Sequence, residues 1–168
     1  MDPTVRKILA FLKQIEVPFQ LSHFTHDTFL PGLRLQQGVL HIDVDKLLYA
    51  GDILHEAGHI AVCEPTERHL LSDDVYKCRS NKSWMKGEEI AAIAWSVAAI
   101  QHIGLPTSVV LHPDGYKGSS ENLIMVFENN ELYGQPLLAA WDMIDSVEDF
   151  PNVKTWIRQV SWAEPVVA

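Results

Sequence analysis

The residues best suited to chemistry are His55, Glu56 and His59, set in the run Leu54-His55-Glu56-Ala57-Gly58-His59-Ile60. On a helix of 3.6 residues per turn, positions 55 and 59 lie one above the other on a single face, with position 56 about 60° around the axis from position 59. Two neutral imidazoles so placed can hold one Zn²⁺ at about 2.0–2.1 Å, and the carboxylate between them is then too far round to ligate. Glu56 can instead reach a water that zinc has acidified to a pKa of about 7, and take its proton during attack on a carbonyl. The plain alternative is two histidines that share a helix face with nothing bound between them.

That geometry requires the run around the motif, from Gly51 to just before Pro65, to be helical. Ile53, Leu54, Ala57, Ile60, Ala61 and Val62 flank the polar trio, so the helix is expected to be buried. Gly51 and Asp52 mark its start and Pro65 stands just past its end. Ahead of it, residues 38–44 alternate, with Leu40, Ile42 and Val44 on one face and His41 and Asp43 on the other, which predicts a half-buried strand followed by a turn over 45–49. A second helix is expected over 87–103, apolar almost all round, central, and ended by Gly104 and Pro106. Glu88 and Glu89 head it, a placement that the helix dipole alone favours by about 0.3–1 kcal/mol. Its small residues Ala92, Ser96 and Ala99 recur at helical spacing and would admit the histidine helix closely.

A site of this kind needs a third ligand. Val62 and Pro65 stand where a metzincin has Gly and His, and Ala92 and Ile93 stand where a thermolysin-like enzyme has the Asp four residues after its Glu. The E-G-C-L context of the peptide deformylases is absent. The segment from Glu89 to Ser96, with Ala92 at +3, Trp95 at +6 and Ser96 at +7, resembles the E-x-x-A-x-x-F-A helix of the ImmA/IrrE-type metallopeptidases. Starting the frame at Glu88 would put Ala94 at the aromatic position and Trp95 at the small one, so Glu89 is the better match.

The resemblance rests on two short segments. It implies a small single-domain α+β zincin-like fold, with helices packed on a short, mostly antiparallel sheet. It further implies zinc held by His55, His59 and Glu89, Glu56 as general base, and hydrolysis of an amide bond in a peptide or protein substrate. The chain carries Ile100-Gln101-His102 where that family has Leu-Leu-x-Pro, so substrate choice does not carry over. The alternative reading is a non-catalytic zincin-like metal-binding domain with an interaction or regulatory role. Closure of the site by a fourth protein ligand, Cys63 or His69, would mark that case.

Composition narrows the setting. A chain of 168 residues that is 47% hydrophobic and 21% charged fits one domain over 1–168. Its net charge of −9 disfavours nucleic acid as a partner and would steer basic peptides toward it more readily than acidic ones. The apolar run from Ile8 to Leu12 is short and bracketed by Lys7 and Lys13, unlike a signal-peptide core. Cys63 and Cys78 therefore read as reduced thiols, and the expected location is cytoplasmic. The run from Ile90 to Ile100 falls well short of the ~20 residues that span a bilayer, so no membrane partner is expected.

Elsewhere, Asp2-Pro3 opens an amphipathic helix to about Glu16, and His23 and His26 fall in a solvated loop. The polar connector 66–86 is a candidate lid. Strands are expected over 107–111 and 122–127, with a hairpin turn at 128–131, and short helices over 136–144 and 151–160. His112 and Tyr116, in the turn between the two strands, are candidate donors to an oxyanion.

Overall fold

The computed structural model describes residues 1–74, 79 and 82–162. Helix α1 (Pro3–Gln14) starts where Asp2 accepts the backbone N–H groups of Thr4 and Val5 at 2.8 and 3.2 Å, and it buries Val5, Ile8, Leu9, Phe11 and Leu12. Strands β1 (Phe19–Leu21), β2 (Leu33–Gln36) and β3 (Val39–Ile42) form one small sheet in the order β1-β3-β2. The β2–β3 turn places Gln37 and Gly38 at φ 50 and 76°, the left-handed pair that a two-residue hairpin requires. β3 runs antiparallel to β2 and parallel to β1, so the sheet is mixed rather than mostly antiparallel. The whole is α+β, as expected.

Helix α2 (Gly51–Val62) carries the histidines, and α3 (Lys82–Ile103) lies beside it as the central helix. Ala91, Ala92, Ala94, Trp95, Val97 and Ala99 are all fully buried. α3 begins at residue 82 rather than 87, so Glu88 and Glu89 sit in its second turn, where the dipole no longer accounts for them.

Beyond α3 the expected strands are absent. Residues 107–109 form a 3₁₀ turn, and 122–127 lie inside helix α4 (Ser120–Glu128). The run Leu-Ile-Met-Val-Phe has no alternation, and a continuous apolar run cannot by itself separate strand from helix. As a helix it buries Leu123 and leaves Met125 exposed. The hairpin turn at 128–131 is accordingly a helix C-terminus. Helix α5 (Gln135–Ala140) is shorter than the predicted 136–144.

Residues 151–160 form no helix. They are held by tertiary contacts instead: Lys154 N–H donates to the Met143 carbonyl at 2.9 Å, Arg158 N–H to the Ala61 carbonyl at 2.8 Å, and Trp95 Nε1 to the Trp156 carbonyl at 2.9 Å. The connector 66–86 is tied to the β2–β3 hairpin at two points. Gly38 N–H donates to the Leu71 carbonyl at 3.0 Å and Leu35 N–H to Asp73 at 2.7 Å, which pins it to the hairpin. Most of the remaining connector, with Cys78, lies outside the described residues. No helix among the described residues is long and apolar enough to cross a membrane.

Candidate metal centre

Gly58 brings α2 and α3 together. A β-carbon there would lie 2.9 Å from the Ala92 carbonyl oxygen and 3.3 Å from Trp95, so only glycine allows this approach. The small face of α3 meets α2 at Ala92, as its spacing predicted. One residue further along α2 and three back along α3 stand His59 and Glu89, which the contact sets side by side.

The donor atoms converge. Nε2 of His59 is 3.3 Å from Nε2 of His55 and 3.0 Å from a Glu89 carboxylate oxygen, while the other Glu89 oxygen is 3.7 Å from Nε2 of His55. Two nitrogens on one tetrahedral zinc, with bonds of about 2.0–2.1 Å, stand about 3.3–3.4 Å apart. Ligand atoms of His55, Glu56 and His59 also lie within 4.8 Å of one another, so a metal ion could be held here. Two carboxylates thus flank the imidazole pair, and Glu89 makes the shorter contacts. The side chains of His55, His59 and Glu89 are 16, 10 and 34% exposed, which leaves the site open on one side.

The electrostatics suit a cation. Burial pushes His55 down to about 4, so its ring is neutral at ordinary pH and offers a lone pair. Burial works against charge on Glu89 too, but the His59 hydrogen bond outweighs it and holds the carboxyl at about 2. For His59, burial is likewise outweighed by Glu89 and Glu56, and its pKa is raised. Burial raises Glu56, which is the direction that makes a carboxylate a stronger base.

Residues 107–116 brace the first turn of α2. A β-carbon at Gly51 would overlap the Val109 carbonyl. His112 Nε2 lies 2.8 Å from Asp52 and its ring stacks on Tyr49, centroids 3.8 Å apart, while the Tyr49 hydroxyl donates to Asp114. Tyr116 Oη lies 3.2 Å from Nδ1 of His55. With Nε2 kept as the lone-pair donor, Nδ1 carries the proton and donates it to Tyr116, which fixes the tautomer. Both side chains hold α2, and Tyr116, as the acceptor of the His55 proton, keeps its own O–H. From the sequence Asp52 is only a helix-start signal, although its position one turn before His55 on the same face could have marked it as a partner for the loop.

Glu88 points elsewhere. It accepts the Glu64 backbone N–H at 2.9 Å, both guanidinium arms of Arg79 at 2.6 and 3.0 Å, and Arg158 at 3.5 Å. Arg158 also reaches Glu64 at 3.0 Å and lies 4.0 Å over the Trp141 ring. This buried network holds the start of α3 and was not legible in the sequence, because its members are spread from residue 64 to 158.

The candidate fourth ligands stand apart. Cys63 is fully buried, and burial pushes its thiol up to about 12, while His69 is exposed. His23 is 81% exposed, 3.6 Å from Asp43, whose carboxylate is occupied by the backbone N–H groups of Phe24 and Asp45. No family model, curated protein or solved structure matches the chain.

Proposed function

We propose that the protein is a zinc-dependent hydrolase of peptide amide bonds, nearest in kind to the ImmA/IrrE-type metallopeptidases. The observation that carries this reading is the convergence of three donors from two helices, at separations suited to tetrahedral zinc, beside a fourth, basic carboxylate. His55, His59 and Glu89 would hold the ion. A bound zinc supplies Lewis-acid polarisation of the scissile carbonyl and acidification of water.

The chain's own groups supply the rest. Glu56, raised by burial, accepts a proton on its carboxylate as the water oxygen adds to the carbonyl carbon, and returns it to the amide nitrogen as the C–N bond breaks. Tyr116 holds the His55 ring so that Nε2 faces the cleft. Among the described residues neither Cys63 nor His69 joins the cluster, and of its two carboxylates Glu56 is assigned the proton and Glu89 the metal.

The test is elemental analysis of the purified protein beside His59→Ala, followed by a peptide-library assay of the wild type and Glu56→Gln. About one zinc per chain, lost in His59→Ala, with hydrolysis lost in Glu56→Gln but metal retained, is the expected result. Zinc without hydrolysis would leave the metal-binding interaction domain, and no metal after zinc is supplied would end the enzyme reading and leave a metal-free interaction domain.

A further inference from the structure

A second feature lies away from the candidate metal centre, between the end of α4, the turn that follows it, and residues 147–150. It is an open cavity of about 430 Å³ walled by Phe127, Leu132, Val147 and Phe150, with Asn130 and Glu148 among its polar lining. That volume is in the range of ligand pockets, roughly 300–1,000 Å³. The Phe127 and Phe150 rings lie 28° from parallel with centroids 5.8 Å apart, and Leu132 is 64% exposed. Together these side chains give the cavity an apolar wall that is open to solvent, with a few polar groups beside it.

The charge around the cavity says which kind. From residue 118 to 153 the chain has no Lys, Arg or His, but seven acidic residues: Glu121, Glu128, Glu131, Asp142, Asp145, Glu148 and Asp149. This stretch therefore carries −7 of the net −9. The next basic residue, Lys154, is already held by Asp142 and Asp145 at 2.7 Å each. Glu128, Glu131, Glu148 and Asp149 are exposed and sit next to, or within, the cavity lining in sequence. An anionic ligand is repelled by such a field, and a purely apolar one would leave Glu148 and Asn130 facing it unused. A guanidinium satisfies every part: its plane lies on aromatic rings, its N–H groups donate to carboxylate and amide oxygens, and the field draws it in.

We propose that this cavity is a docking site for a basic peptide segment, with an arginine side chain seated against Phe127 and Phe150 and its charge met by Glu148. The site does not depend on the metal centre.

The experiment is a titration of ¹⁵N-labelled full-length chain, without added metal, with an acetylated and amidated Ala-Arg-Arg-Ala peptide. Ala-Glu-Glu-Ala and spermidine serve as comparisons. The amide shifts are expected to concentrate at 127–132 and 147–150, and affinity to fall about tenfold or more in Glu148→Lys and in Phe150→Ala. Glu148 is exposed, so its replacement leaves the fold intact even where Phe150→Ala does not. Shifts scattered over the acidic surface, equal binding of spermidine, an unchanged affinity in Glu148→Lys, or no binding at all would each overturn the proposal. Because no metal is present, none of these results bears on the candidate metal centre.

Discussion

Tyr116 Oη and His55 Nδ1 are 3.2 Å apart, on the opposite edge of the imidazole from the Nε2 that faces His59. A loop residue thereby decides which nitrogen of a helix residue is available to a cation. The parallel contact between His112 and Asp52, one turn earlier on α2, fixes the same loop a second time.

Replacing Tyr116 by Phe removes the acceptor and keeps the ring. Zinc affinity should fall about 10–100-fold, as for other outer-shell partners of a ligating histidine. Competition against a chromophoric chelator measures it. The stability of the metal-free chain should change only by about 0.5–1.5 kcal/mol, the net worth of one hydrogen bond.

Glu88 and Glu89 are neighbours with opposite assignments, and Gln at each position separates them. Glu88→Gln strips charge from a buried network and leaves Arg79 and Arg158 undercompensated, so unfolding free energy should drop by about 3–5 kcal/mol. Glu89→Gln should weaken zinc binding, which Glu88→Gln should leave nearly unchanged, and should cost the metal-free chain the stability that the ionised carboxylate gives it beside His59. If both variants behaved alike in both assays, the division between network and ligand would be wrong.

At Gly58 the added methyl of alanine meets backbone, which cannot swing aside. Gly58→Ala should cost about 1–3 kcal/mol in urea unfolding even though alanine is the better helix former. Gly87, whose β-carbon would lie 3.4 Å from the end of the Leu137 side chain, is the control and should lose much less.

The metal-free chain should also lose stability in acid through His55. Its ordinary pKa is 6.5 and its folded value about 4, so below 6.5 the unfolded chain takes up a proton that the folded chain refuses. Stability therefore falls as pH drops from about 6.5 toward 4. Glu89, held at about 2 against an ordinary 4.5, adds a loss at lower pH, present above 4.5 and gone as pH falls through 2. His59 acts in the other sense: its raised pKa stabilises below 6.5 and that contribution fades as pH rises. His55→Asn should flatten the limb between 6.5 and 4 in denaturation curves taken across pH, and saturating zinc should steepen it in the wild type, because protons then compete with the metal.

The faces of α2 were readable because helical periodicity is local: the places of His55, Glu56 and His59 follow from spacing alone, and the small residues of α3 announced the close contact at Ala92. The choice of Glu89 over Glu88 needed a motif frame from the sequence and the Arg79–Glu88 pairing from the structure. After residue 104 local signals found the helix at 135–140 but little else. Leu123 to Phe127 is apolar without a period, so tertiary packing alone decided its helical form, and residues 151–160 are ordered by Arg158 and Trp156 meeting α2 and α3. Tyr116 was visible as a candidate, but its task depends on a partner 61 positions away.

The Ala92 carbonyl under Gly58 has a further effect. Because no side chain separates the two helices there, they rest at the closest approach their backbones allow, and the donors of both stand near one another. Calcium, with oxygen bonds of about 2.3–2.6 Å and six to eight ligands, would need the donors to spread, whereas an ion with bonds of about 2.0–2.1 Å fits them where they stand. Discrimination by ionic radius would then reside in a glycine that touches no ion at all.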